Sequence, residues 1–170
     1  MALAKVLKFF TVHVDGQGGV GEYEEIKLPD IEMEMKDYIG GGMISPVKID
    51  MGLKALETEL TGGGWLPDVL ATMGQRTLDG VPIMFLGSVQ NDASGAIDAV
   101  EIHMRGRIEK AERDNAKQGD IGKQKFKFTL AYYKEIWNGA VKVELDPLNF
   151  ICIIGGQDVY AEHKKNIGLG

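Results

Sequence analysis

The sequence predicts a mainly β protein, an antiparallel β-barrel or sandwich with one short central helix and a C-terminal helix. Three observations carry this reading. Apolar and polar residues alternate with period two along most of the chain, helix-start signals occur at only two places, and glycine supplies 23 of 170 residues. That glycine share is about twice the usual one. Glycine weakens helix interiors and favours turns and bulges. With 44% hydrophobic and 26% charged residues, the composition is that of a folded globular chain rather than a disordered one. The length suits one domain spanning 1–170 with a sizeable core.

Ile31, Met33 and Met35 alternate with Glu32, Glu34 and Lys36 and predict a strand with one buried face. Val47, Ile49, Met51 and Leu53 then alternate with charged residues. After Leu53 the apolar parity shifts to Leu56, Thr58 and Leu60, which predicts a bulge within one long, bent strand. Trp65 to Gly74 has Pro67 near a helix start and a terminal glycine, so a short helix is expected there. Val81–Gln90 and Ile97–Ile108 flank a turn-rich spacer and predict a hairpin. Phe126, Phe128 and Leu130 open a strand running to Trp137. Asn138-Gly139 then joins it to Val141, Val143 and Leu145, the strongest short-range hairpin signal. Gln157 to Ile167 has helical spacing, with Lys164 and Lys165 in the last turn.

Twenty-five acidic against 19 basic side chains give a net charge of −6, which argues against a protein that grips nucleic acid through its phosphates. Cys152, the only cysteine, lies in an apolar run, so no intrachain disulfide forms and a buried, inert thiol is expected. No N-terminal targeting signal and no membrane anchor are expected.

Gly16-Gln17-Gly18-Gly19-Val20-Gly21 matches a dinucleotide-binding pattern in letters. The helix that must follow to receive the pyrophosphate is missing, since Glu22–Pro29 leads into the Ile31 strand, so a glycine-rich hairpin turn is expected instead. His13, His103 and His163 lack metal-ligand spacing, Ser45 and Ser94 lack a nucleophile elbow, and no carboxylate pair sits in an apolar setting. Catalytic, cofactor and metal sites are therefore all expected to be absent. Gly40-Gly41-Gly42-Met43 lies between two strong strands, and Gly62-Gly63-Gly64 joins a strand to the first helix. Such flexible joints suit a subunit that orders a loop on its neighbour. Lys110 to Lys123, of mixed charge, is a second candidate contact loop.

Tyr38-Ile39-Gly40-Gly41-Gly42-Met43, Val47-Lys48-Ile49-Asp50-Met51-Gly52-Leu53, Phe85-Leu86-Gly87-Ser88-Val89-Gln90, Met104-Arg105-Gly106-Arg107, Asp146-Pro147-Leu148-Asn149 and Gly155-Gly156-Gln157-Asp158 occur in this order. The set resembles the major tail tube proteins of contractile-tailed phages of the P2 type, over nearly the whole chain. R-type pyocin tubes are related, and type VI secretion tubes more distantly.

The resemblance implies that 1–170 is one tail tube domain, a structural and non-enzymatic subunit of a virion tail, assembled in the cytoplasm of a bacterial host or from a prophage. Six copies would form a ring, their inner strands closing one continuous barrel, and rings would stack into the conduit for DNA ejection. The implied partners are the sheath, the baseplate or initiator complex and the tape-measure protein, with DNA as a cargo that does not stick. On that reading Asp50, Glu57 and Glu59 are expected to line an acidic lumen that repels phosphates. Gly40, Gly41, Gly42 and Met43 are expected to contact another subunit or ring. The alternatives are the tube of a pyocin or other contractile injection system and, in a different class, a small-ligand-binding barrel or enzyme.

Overall fold

The computed structural model describes residues 2–170. Along them run β1 (Lys5–Val14), β2 (Gln17–Gly19), β3 (Tyr23–Lys27), β4 (Met33–Tyr38), β5 (Val47–Leu53), β6 (Leu56–Gly63), α1 (Pro67–Ala71), β7 (Val81–Asn91), β8 (Ile97–Arg113), β9 (Lys123–Trp137), β10 (Ala140–Asp146), β11 (Ile151–Ile154), β12 (Gln157–Asp158) and α2 (Ala161–Asn166). None of the described helices is long and apolar enough to cross a membrane. The expected mainly antiparallel β fold with two short helices is present. The Asn138-Gly139 hairpin forms with φ of 49° and 81°, the left-handed pair a type I′ turn requires.

Ten strands make one antiparallel sheet, ordered β12-β11-β10-β9-β8-β7-β1-β2. Strand β8 occupies one edge of β9 along nearly its whole length. The other edge of β9 is shared: β6 pairs with its first half, from Lys123 to Leu130, and β10 with its second, from Tyr133 to Trp137. Strand β3 then pairs with β6.

Of the barrel and the sandwich that the alternation allows, no closed barrel forms among the described residues. Strands β2 and β3 are joined by the 20–22 turn and come close, yet no ladder connects them. Side-chain packing occupies the seam. The Tyr23 ring lies over Gly18, where a Cβ would meet it at 2.9 Å. Burial in this seam, reinforced by Glu22 and Asp68, pushes the Tyr23 phenol up to about 12.

One apolar cluster fills the interior. Val12 and Val14 come from β1, Ile83 and Phe85 from β7, Ile102 and Met104 from β8, Phe126 and Phe128 from β9, and Leu56 and Leu60 from β6. Helix α1 caps one end with buried Val69. The period-two pattern produces this core because every second side chain of each strand falls on the same face. The pattern changes parity once in β9, from Phe126 and Phe128 to Ala131 and Tyr133. The register slips there: Gly106 faces Leu130, Arg105 faces Tyr132, and Ala131 is left extra, as in a bulge.

Four local expectations are corrected. The parity shift near Lys54 is not a bulge in one strand but a change of sheet, because β5 pairs only with β4 in a separate two-stranded ribbon while β6 enters the main sheet. Gly62 and Gly63 are not a flexible joint. They are the last residues of β6, paired with Gln124 and Lys123, and Leu66 packs into the space a side chain at Gly62 would need. The expected charged loop 110–123 is shorter, since β8 continues through Arg113. The C-terminal helix starts later, at Ala161, because Gln157 pairs back to Ile154 across a Gly155-Gly156 turn.

Candidate assembly surfaces

Two surfaces hold the residues that the sequence singled out, the outward face of β6 and the β4–β5 ribbon, and they meet at a cleft lined by Glu34, Met51, Glu57, Glu59 and Lys127. Glu57 and Glu59 project from the outward face of β6, opposite the buried Leu56, Thr58 and Leu60. Asp50 does not join them. It sits on the β4–β5 ribbon, where its carboxylate accepts the Gly52 amide at 2.7 Å.

The β6 face is not the acidic stripe its own sequence suggests. Register places Lys127 opposite Glu59 and Thr129 opposite Glu57, and the lysines of β9 reach the carboxylates on both sides. Lys127 Nζ lies 3.3 Å from Glu57 and 3.7 Å from Glu109 on β8, while Lys125 lies 4.0 Å from Glu59 and Lys123 lies 3.2 Å from Glu24. Hydrogen bonding to Glu57 and the charge of Glu109 raise the Lys127 ammonium above its usual range. All these groups are solvent-exposed, so the pairs add little stability. Their effect is on charge: the face is a ladder of alternating sign. Sequence reading missed the lysines because Lys125 and Lys127 were visible only as the polar side of their own strand. Which strand they stand beside is decided by a pairing between residues some 70 positions apart.

The second surface is the ribbon. Strands β4 and β5 pair with each other and with no other described strand, although a lone two-stranded ribbon is marginally stable in water. Its base is pinned by the Lys54 amide donating to the Glu32 carbonyl at 2.9 Å and by Lys54 Nζ reaching Glu32 at 3.1 Å. Its tip holds Gly40, Gly41, Gly42 and Met43 together. The Met43 amide donates to the Gly40 carbonyl at 3.2 Å and the Gly40 amide approaches Met43 Sδ at 3.1 Å, with Gly42 at φ 84°. The tip is thus a closed turn. Around it Tyr38, Ile39 and Val47 are exposed, and Ile44 is completely so. That concentration of uncovered apolar side chains has no partner within the described chain.

Elsewhere, His13 and His103 stand in one cross-strand row separated by Met84, and His163 lies on α2. No group of three or more metal-ligating side chains occurs among the described residues. Burial raises the Cys152 thiol, and Asp158 adds to the shift. The glycine-rich run 16–21 completes the β1–β2 turn, forms the edge strand β2 and opens the turn to β3.

An open-seamed antiparallel sheet with two short helices, a charge ladder on one outward face and an uncovered apolar ribbon define a mainly β structural subunit. The chain belongs to the phage tail tube protein FII family, whose model matches residues 4–168. It is 34% identical to the tail tube protein of Escherichia phage P2, over 99% of this chain and all of that one. It is 32% identical to the major tail tube protein of Serratia phage KSP20, over 100% of this chain and 99% of that one. It is accordingly a structural subunit of a phage tail tube, a virion component and not an enzyme.

Similar folds occur in an extracellular contractile injection system, PVC, in the extended state. Its sheath/tube terminator structure superposes with a TM-score of 0.54 at 14% identity, covering 76% of this chain and 94% of that one. Its sheath-tube complex gives 0.53 at 14% identity, covering 75% and 87%.

Proposed function

We propose that 1–170 acts as one tube domain that joins five further copies in a ring, and that rings stack into the inner conduit of a contractile tail through which DNA leaves. The observation that carries this reading is the ribbon. A subunit that leaves two strand edges and an apolar tip uncovered is completed by other copies, since open edges otherwise template aggregation. A head-to-tail contact that closes by rotation makes a ring. The sheath, the baseplate or initiator complex and the tape-measure protein are the expected neighbours, and assembly takes place in the host cytoplasm. Electron microscopy of purified protein, seeded with baseplate complexes, is expected to show rings or tubes of uniform width. Small particles alone under those conditions would refute the proposal. The likeness to injection-system tubes favours a second setting, a pyocin-type particle, which is distinguished by the absence of a DNA-filled head.

Within that assembly the Glu57 and Glu59 face lines the channel and offers DNA a charge-balanced wall. Asp50 belongs to the ribbon and contributes to the channel only where the ribbon does. Replacing Glu57 and Glu59 together by lysine puts new cations beside Lys125 and Lys127 and leaves only Glu109 beside Lys127 and Glu112 opposite Lys125 as counter-charges. Tubes are expected to form, while DNA release slows on the order of tenfold because phosphates now find a continuous basic track. Dye fluorescence of released DNA after receptor triggering measures this. Release at the unaltered rate removes the lumen assignment.

The Gly40–Pro46 tip contacts a neighbouring subunit or ring. A Cβ at Gly41 meets nothing within 4 Å in the chain itself, so Gly41→Val is expected to leave the subunit's melting temperature unchanged and to reduce tube yield and length. Gly42→Val adds strain of about 1 kcal/mol at its positive φ, so Gly41→Val is the cleaner test. Tubes of normal length from Gly41→Val would make the loop a mere connector.

A further inference from the structure

Where β6 and β10 part company along β9, the fork opens into a groove of about 630 Å³, lined mainly by apolar side chains that include Leu53, Leu56, Leu78, Leu130, Leu148 and Phe150. Arg107 stands at the same groove. Its cross-strand neighbour is the uncharged Thr129, and it makes no ion pair among the described residues. The groove abuts the base of the ribbon at Leu53 and Lys54, whereas the ribbon's apolar tip stands at the far end of β5. Seven extended residues separate the two, roughly 20 Å at the usual rise per strand residue. A chain therefore cannot seat its own tip in its own groove.

The tip has a matching charge. Asp37 lies two residues before Ile39 and is exposed; it faces Lys48 across the ribbon in register without closing an ion pair. An apolar knob flanked by Asp37 and Lys48 thus matches an apolar groove whose lining carries Arg107 and Lys54 beside the buried Asp146, which is held by Asn149.

We infer that the groove is the socket for the ribbon tip of a second copy, with Ile44 and Ile39 entering between Leu148 and Leu130 and Asp37 pairing with Arg107. This rests on the reading of the tip as an intersubunit contact and names what it contacts. Because knob and socket are different surfaces of one chain, the contact can run head to tail, and in a ring it is heterologous. Each copy both inserts and receives, so the chain of contacts continues until rotation closes it.

The test is a charge exchange. Asp37→Arg and Arg107→Asp are each expected to raise the concentration needed for tube assembly by about tenfold, through like charges brought together, with the isolated subunit's melting curve unchanged. Combining them in one chain is expected to restore assembly. Independently, Ile44→Cys and Leu148→Cys subunits, each also carrying Cys152→Ala and mixed before assembly, are expected to give a disulfide-linked dimer in tubes and none in unassembled protein. Single charge variants that assemble normally overturn the socket. So do a double variant that stays as defective as its parents and a thiol at position 44 that links only to other sites. Ile44→Asp separates the two levels of the argument. If it stops assembly while the exchange fails, the tip is a contact with a different seat; if it assembles normally, the tip reading itself falls.

Discussion

Replacing Gly106 with alanine is expected to destabilise the subunit by about 2–3 kcal/mol, which for a chain of this size lowers the melting temperature by roughly 5–10 °C. Gly106 has ordinary extended geometry, so the cause is not backbone strain. A Cβ there would collide with the Thr129 carbonyl and crowd Leu130 Cα at 3.0 Å. Both are main-chain atoms and cannot swing aside as a side-chain end would. The collision falls at the bulge where β9 changes parity, so relief by sliding would misalign either Phe126 and Phe128 or Tyr133 with the core. Urea unfolding should show a lower midpoint with an unchanged slope. A melting temperature within about a degree of the parent would show that β8 and β9 can separate locally at little cost, contrary to the packing described above.

Phe128→Ala is expected to cost more, about 3–5 kcal/mol. The ring is 0% exposed and sits between Thr58 of β6 and Ile108 of β8 in register. Removing it empties the position where three strands meet. Against a total stability on the order of 5–15 kcal/mol, this variant should populate unfolded chains and fail to accumulate as soluble protein. Phe9→Ala is the control, because that ring is 79% exposed and its loss should change stability by about 0.5 kcal/mol or less. Equal effects of the two substitutions, read by denaturant midpoint, would contradict the burial described.

The strands were legible wherever a polar residue alternates with a buried one. Phe126 and Phe128, Ile102 and Met104, and the Asn138-Gly139 turn all fall where their spacing puts them. Partner choice was less legible. The parity change after Leu53 reads identically for a bulge and for a strand that leaves one sheet and enters another; only the pairing of β5 with β4 and of β6 with β9 distinguishes them. Alternation likewise leaves barrel and sandwich open, since it says which face is buried but not whether Tyr23 will fill the seam. At the candidate surfaces, the positions of Glu57 and Glu59 on one outward face were visible in the sequence, but their lysine partners were not. Asp50 shares the acidic character of Glu57 and Glu59 but not their sheet, because Lys54 and Ala55 separate the two strands. The glycine tip was visible as a loop, whereas the full exposure of Ile44 beside it depends on the ribbon standing off the body.

The way the sheet is threaded sets the order of events in time. Val14 pairs with Ile83 and Gly63 with Lys123, so two loops of roughly 60–70 residues must close before the core exists, each against a chain entropy that local hairpins hardly face. Folding of such topologies runs in milliseconds to seconds rather than microseconds. During that interval the apolar faces of β1 and β6 stay uncovered, while the β7–β8 and β9–β10 hairpins can already form. A newly made subunit therefore becomes competent to join a growing tube only after its slowest internal closure.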